Sequence, residues 1–432
     1  MARLADAAGE GDEVVTGAAG PRGRVGIVGA GPAGMAAALS LGQAGHDVTI
    51  LERYPAAEPR GNIINLWPPP VKALGLLGVD IDDLGAPCQT IFGSSSGRRR
   101  AVIHISDELQ AEYGGDFIGL LRPDLYSRMR AALPEGVIEA NLGVVAFTQD
   151  IDGVHVQLSD GTARDFDVLV GADGINSLVR RTLWGETPPR EHNLHIFGGY
   201  TVEPIDAARG VCMISWSRTV QASWTSIRSL GRDGFEWWVI EAHSADEPFD
   251  EDYHATATRL AADFPSPMPE LVALTDPAHM HRWVLRDRKP LPRWSKGRAT
   301  IIGDAAHPTS PYAGYGAGMS IEDAYFLGRR LAGVDLKDQR AVEAALTAFE
   351  EPRRKHTARQ SQQAYILSQM FHHAPRVLHP LREFVLDHTP FLQKVAADGT
   401  PGEIMKQVDV IQHTEDAFRA RIPSTATDPE MT

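Results

Sequence analysis

The stretch RVGIVGAGPAGMAAALSLGQAGHDVTILER, residues 24–53, decides the fold. Its opening, RVGIV, is a β-rich run that ends in glycines. PAGMAAALSLGQAG (32–45) has high helix propensity and stops at Gly45. HDVTILER (46–53) is a second β-rich run that ends in two charges. The predicted unit is strand, helix, strand over about 30 residues, the size of a parallel crossover. Gly29, Gly31 and Gly34 stand between strand and helix in G-x-G-x-x-G spacing. The first glycine allows the tight turn, the second lets a pyrophosphate approach the backbone, and the third lets helix and strand pack closely. The helix start at Pro32 and Ala33 offers free N–H groups and the positive end of the helix dipole to a diphosphate. Glu52 ends the second strand, where a carboxylate hydrogen-bonds a ribose diol. The spacing gains its meaning from its place after a strand and at the opening of a helix. The competing interpretation is a glycine-rich turn with an exposed glutamate.

Two later blocks repeat the style. DFDVLVGADGINSLVR (165–180) reads as a buried strand, a glycine turn and a helix, with Asp173 and Gly174 at the turn. RATIIGDAAHP (298–308) returns to the same pattern, with Gly303 and Asp304 at its strand end. Each aspartate falls where strand carboxyl ends converge, which is where ligands bind in open α/β sheets. A carboxylate there accepts from sugar hydroxyls; the alternative for each is an N-cap of the next helix. The outer blocks meet in space if both are parallel strands of one sheet.

Between the second and third blocks, residues 190–285 are rich in Trp, Thr, Ser and Ile. They read as antiparallel strands with few long helical patterns. In residues 62–80 a proline triplet breaks the chain and an apolar helix follows. Residues 122–133 open an amphipathic helix with Pro123 and Asp124 in its first turn. Residues 152–161 alternate as a strand. The chain is helical from 322 to about 374, further helices with prolines fill 375–418, and the last dozen residues fray.

Composition narrows the function. The chain has 432 residues, 43% of them hydrophobic and 23% charged, which is ordinary for a soluble globular protein. A net charge of −14 argues against wholesale nucleic-acid binding. Arg98, Arg99 and Arg100 read as a solvated turn. Two cysteines, Cys88 and Cys212, are too few for a disulfide framework, a zinc site or an iron–sulfur cluster. No run of eighteen apolar residues suggests a membrane span. Residues 1–22 carry acids and glycine without an apolar run and read as a disordered leader, so a cytoplasmic setting is expected.

The ensemble GAGPAG, LER, LRPDLYSRM, VLVGADGINSLVR and GRATIIGDAAHPTSPYAGYGAGMSIEDA resembles the single-component, FAD-dependent aromatic hydroxylases. These are the class A flavoprotein monooxygenases of the para-hydroxybenzoate hydroxylase and salicylate hydroxylase type. The resemblance spans about residues 24–360. It implies an α/β fold: a discontinuous Rossmann-like FAD-binding domain over 23–80, 120–188 and 286–335. A β-rich substrate domain is expected over 81–119 and 189–285, and C-terminal helices over 336–420. It implies bound, non-covalent FAD, with NAD(P)H as a transient co-substrate and O2 as oxidant. A flavin hydroperoxide then hydroxylates a small aromatic or polycyclic molecule. Monomer and homodimer are both compatible.

The resemblance also carries residue roles. Gly29, Gly31, Pro32, Ala33 and Gly34 would hold the pyrophosphate, with Glu52 and Arg53 at the adenosine ribose. Arg122 would reach the ribityl and phosphate region, Asp304 the ribityl chain, and Asp173 both FAD and NAD(P)H. Arg60 and Gly61 occupy a loop near the isoalloxazine. Pro311, Gly314, Gly316, Ala317 and Gly318 keep a backbone seat for the ring, and the amides of Ala317, Gly318 and Met319 would face its anionic edge. Many relatives have P-x-x-G-Q-G where this chain has PYAGYG, so Tyr315 replaces a glutamine and substrate inferences weaken.

No acid–base residue is required by the flavin half. Tyr315, His243 and Tyr200 are the candidates for deprotonating a phenol; each has a structural alternative. Trp216, Trp224, Trp237 and Trp238 could stack on substrate or fill a core. His307 reads as local packing, and no residues fall at metal spacing. A halogenase would carry W-x-W-x-I-P and a Baeyer–Villiger enzyme its own fingerprint; neither is present. Epoxidation, oxidative decarboxylation, antibiotic inactivation and a non-catalytic FAD-binding role remain alternatives.

Overall fold

Parallel strands covered on both faces need apolar residues at nearly every position, and three short runs of this sequence meet that demand. The computed structural model describes residues 21–55, 63–249 and 251–421. In it the runs form neighbouring strands in one parallel sheet, in the order Ala299–Ile301, Val168–Gly171, Arg24–Val28. Asp47–Leu51 and Ile138–Glu139 complete the sheet. Val28 pairs with Gly171 on one side and with Leu51 on the other, and Gly171 pairs with Ile301. The first and last blocks thus share a sheet, with the middle block between them. Because the strands are parallel, the turns after Val28, Gly171 and Ile301 lie at one edge.

Helix Pro32–Gln43 makes the crossover between the first two strands, and helix Gly316–Leu331 packs along it. That packing depends on Gly328, where a Cβ would stand 2.2 Å from Ser40 Oγ and 2.5 Å from the Ser40 carbonyl. Ser40 Oγ also donates to the Tyr325 carbonyl at 2.9 Å.

A second sheet has nine strands. Its path runs His281–Asp287, Arg190–Thr201, Arg232–Ala242, Val220–Ser229, Val211–Trp216, Ala86–Ser94, Phe117–Leu121, Ile63–Leu66, with Arg99–Val102 beside Ala86–Ser94. The expected antiparallel arrangement holds except at one place: Val211–Trp216 and Ala86–Ser94 pair in parallel. These strands are far apart in sequence and joined through the other sheet, so no hairpin dictates their direction. Alternation along Arg232–Ala242 sorts its side chains. Phe235, Trp237 and Val239 pack under helices Tyr253–Ala261 and Met268–Ala273, while Trp238 and Ile240 face a cavity. Those two helices, nine and six residues long, are too short to leave a helical period in a segment that reads as strands.

The proline triplet does not break the chain. Pro68, Pro69 and Pro70 form the first turn of helix Pro68–Leu76, where missing N–H groups cost nothing because first-turn amides have no partner inside the helix. The expected helix over 322–374 starts earlier and divides into Gly316–Leu331 and Gln339–His372. C-terminal helices His379–His388 and Gly399–Arg419 follow. Helix Gly399–Arg419 packs on Gly316–Leu331 through Tyr325 Oη, which donates to the Ile411 carbonyl, and through an Arg329–Glu415 ion pair at 2.9 Å. No helix among the described residues is long and apolar enough to cross a membrane. Most of the expected leader, the frayed end beyond residue 421, and Arg60 and Gly61 lie outside the described residues.

Candidate functional site

The three glycines of the first turn have distinct surroundings. Gly29 sits at φ +103°, and a Cβ there would meet the Ala172 carbonyl at 2.7 Å. A Cβ on Gly34 would lie 1.9 Å from the Gly29 carbonyl oxygen. Gly31 is open, with only Tyr126 Oη at 3.9 Å, and it lines the cavity with Pro32 and Ala33. Glu52 lies beside this turn: Oε2 accepts from Ala30 N–H at 2.7 Å and Oε1 from Tyr54 N–H at 3.0 Å. It therefore ties the turn to the end of the second strand. Glu52, Arg53, Gly29 and Gly34 are not part of the cavity wall.

The other two turns close on the first. Asp173 Oδ2 accepts from Leu178 N–H (2.6 Å) and Val179 N–H (3.3 Å), while Oδ1 is buried without a partner. The helix start therefore holds one oxygen only, and the N-cap itself is Ser177, which accepts from Arg180 N–H. Arg180, buried, donates to the carbonyls of Ala305 and Ala306 at 3.1 and 2.9 Å. The middle motif thus braces the turn that carries Asp304. Gly303, at φ +57°, sits where a Cβ would meet Ala33 Cβ at 3.0 Å and Ser320 Oγ at 2.9 Å. All three motifs converge there. The Asp304 side chain is surrounded by protein yet open to the cavity, with no hydrogen bond from the described residues. Burial raises its pKa, opposed by His307 and Arg122. Arg122 lines the same wall and donates to the Ile63 carbonyl.

The seat loop runs through Pro311, Gly314 at φ +61°, Tyr315, Gly316 and Ala317, all on the cavity wall. Helix Gly316–Leu331 begins here, so Gly316, Ala317 and Gly318 head it. The Met319 amide is already used: it donates to the Tyr315 carbonyl at 2.9 Å. Met319 is fully buried and off the wall, so its expected role at the ring edge does not hold. The reason is the helix start, which makes the Met319 N–H the first internal bond. Gly318 is off the wall too; a Cβ there would press Pro70 and the Tyr315 ring, each at 2.9 Å.

Tyr315 presents a ring to the cavity and hides its hydroxyl. The ring stacks on Trp67 at 4.5 Å and 14°, and Oη donates to Glu322. Burial and the Glu322 carboxylate push the phenol's pKa well up. Arg353 pairs with Glu322 and Asp323, both at 2.8 Å, and His307 Nε2 lies 2.5 Å from Asp323 Oδ2. This buried network fixes the ring from behind. His243 and Tyr200 are elsewhere: His243 stacks on His195 at 3.9 Å and Tyr200 on His279 at 4.4 Å, and neither lines the cavity. Trp216 and Trp238 line it, whereas Trp224 and Trp237 face the helices behind the sheet. Trp216 Nε1 donates to Gln221 Oε1 at 3.0 Å.

One cavity of about 960 Å3 joins the glycine turn to the face of the large sheet. Its wall includes residues that no local motif announces, among them Asn65, Trp67 and Tyr312. Behind it, Glu236 is fully buried, with both carboxyl oxygens lacking a donor. Burial raises its pKa well above the carboxylate range, and the Asn65 amide is set against it. Asn65 Oδ1 is itself buried without a donor. The sequence signal was faint: a glutamate in the inward register of a buried strand.

Residues 22–364 match the family described as "FAD binding domain". The chain is 28% identical over 329 residues to 6-hydroxynicotinate 3-monooxygenase of Bordetella bronchiseptica, covering 73% of this chain and 84% of that protein. It is 30% identical over 305 residues to aurachin C monooxygenase/isomerase of Stigmatella aurantiaca, covering 67% and 76%. Klebsiella pneumoniae HpxO complexed with FAD and uric acid has the same fold, with a TM-score of 0.75 at 24% identity over 90% of this chain and 96% of that one.

Proposed function

The chain belongs to the FAD binding domain family of flavin-dependent aromatic monooxygenases, and on that premise we infer that it hydroxylates a small aromatic molecule held between the seat loop and the large sheet. It is an FAD-dependent oxidoreductase of the class that uses NAD(P)H and O2. The observation that carries the reading is the single cavity, which runs from the Gly31 turn past Asp304 and the seat loop to Trp238 and Ile240.

The residues present suit FAD. Gly31 leaves backbone exposed where a diphosphate needs to approach, and a side chain on Gly31 would fill that space. Asp304, open to the cavity and without a protein donor, is an acceptor for ribityl hydroxyls. Asp173 stands at the same edge but off the cavity wall, with Oδ1 buried and unpartnered. The start of helix Gly316–Leu331 aims free amides and a positive dipole at any negative charge developing on the ring. When bound, FAD supplies the electron transfer and oxygen activation; the protein orients it and excludes water.

The remaining residues act on the substrate. Trp67, half-buried and stacked on the buried Tyr315 ring, gives a flat, rigid wall against which an aromatic ring can lie. With His243 and Tyr200 off the wall, a proton from a phenolic substrate passes to solvent rather than to those side chains.

The test is direct. The purified protein should carry flavin that releases as FAD. A panel of phenols and hydroxylated heteroaromatics should include members that stimulate NAD(P)H oxidation and yield a product heavier by one oxygen atom. FAD-loaded protein with no stimulated oxidation across the panel would favour a binding role instead.

A further inference from the structure

The half of the cavity away from the glycine turn is walled almost wholly by apolar groups. Phe92 and Trp216 come from the large sheet, Leu367 and Phe371 from helix Gln339–His372, and Leu392 from the segment after His388. They belong to one apolar cluster. The wall continues outward to Phe391 and Val395, which line the cavity yet remain 39% and 44% exposed. An apolar track therefore leads from the ring site to the protein surface between the C-terminal helices.

Charge along this track is already balanced. Arg359 pairs with Glu403 at 2.5 Å, and Arg286 faces Glu191 at 3.8 Å. A carboxylate lodged among Phe92, Phe371 and Leu392 would lose its hydration with no cation among those apolar side chains to replace it, which is costly. Arg122 and Asp304 belong to the glycine-turn end of the wall, and the polar groups beyond them include the neutral Asn65, Gln221, Thr90 and Tyr312. They suit the N–H, O–H or carbonyl of an uncharged ring.

Resting on the monooxygenase reading, we propose that the substrate is an uncharged hydroxylated aromatic ring bearing a long apolar tail, alkyl or prenyl, which lies along Phe92, Phe371 and Leu392 and emerges at Phe391 and Val395. The ring sits against Trp67, which the buried Tyr315 ring backs. The tail supplies most of the affinity, because each methylene removed from water strengthens binding by about threefold to fourfold.

The experiment is a binding series on oxidised holoenzyme without reductant, using 4-alkylphenols from methyl to octyl and the matching 5-alkylsalicylates, whose tail is likewise para to the hydroxyl. Dissociation constants come from perturbation of the flavin spectrum. Affinity should climb about threefold to fourfold per methylene until the track is filled, and each salicylate should bind at least about tenfold more weakly than the phenol of equal tail. Affinity that stays flat beyond the ethyl member, or salicylates that bind better, would overturn the proposal. Val395→Asp, at the exposed outer end, should shrink the octyl-to-methyl affinity ratio at least about tenfold, and Val395→Leu should keep it; an unchanged ratio in Val395→Asp removes the tail from this track. Flavin content and melting temperature confirm that the variants fold. The series holds no reductant and reads binding alone; absent turnover in the separate NAD(P)H oxidation assay would count against the monooxygenase reading while leaving the chain-length answer intact.

Discussion

Gly34 and Gly31 are three positions apart, and a side chain would damage them in different ways. At Gly34 a Cβ would stand 1.9 Å from a backbone oxygen of the same turn. Gly34→Ala is expected to lower folding stability by more than about 4 kcal/mol, a loss reserved for such steric conflicts, read from the urea midpoint. At Gly31 there is space, but it is the ligand's. Gly31→Val should unfold within about 1 kcal/mol of the flavin-free wild type and retain almost no FAD by absorbance. Asp116 is a third case. Burial raises its carboxyl to about 7 despite a bond from Thr90 N–H. A carboxyl whose folded pKa exceeds its unfolded value of about 3.9 favours the fold at low pH, and that contribution is lost as pH rises toward 7. The loss is on the order of 3–4 kcal/mol. Asp116→Asn should abolish that part of the slope between about pH 4 and pH 7, measured by urea denaturation against wild type. The glycines were legible in the sequence because their turn is local. Asp116, Asn65 and Glu236 were not, because strands remote in the chain create their surroundings.

Helices and strands carry the next set of consequences. Helices Pro32–Gln43 and Gly316–Leu331 approach so closely that Gly328 has no room for a methyl group. Gly328→Ala should cost about 2–4 kcal/mol. Ser40→Ala should fail to rescue it, because the Ser40 carbonyl is also only 2.5 Å from the added atom; recovery in the double variant would show that the hydroxyl alone sets the spacing. Element order and type were largely readable, since each strand of the parallel sheet is a short apolar run with a glycine turn behind it. Three features were not. The prolines at 68–70 read as a break because the same residue that stops a helix inside also starts one. The parallel pair in the large sheet follows from topology alone. The Met319 amide went to the helix because one residue of shift in a helix start changes which N–H groups are free.

At the scale of the whole molecule, bound FAD would span turns from three distant parts of the chain that meet at one edge of the parallel sheet. Removing it should lower the melting temperature and expose amides at residues 303–305 and 314–318 to hydrogen exchange. Restoring FAD at about one hundred times its Kd should return about 2.7 kcal/mol. Protection confined to the Gly31 turn would contradict a bridging role for the Asp304 turn. By itself, the sequence determined the dinucleotide turn, the carboxylates at the strand ends and the family. Those features are written in residues a few positions apart, where spacing and backbone freedom suffice. The tertiary structure alone decided which tryptophans reach the cavity, that Tyr315 turns its hydroxyl to Glu322, and that His243 and Tyr200 stand off the wall. It also decided that an apolar track opens among the C-terminal helices. A side chain's direction depends on what packs around it, and here the packing partners come from opposite ends of the chain.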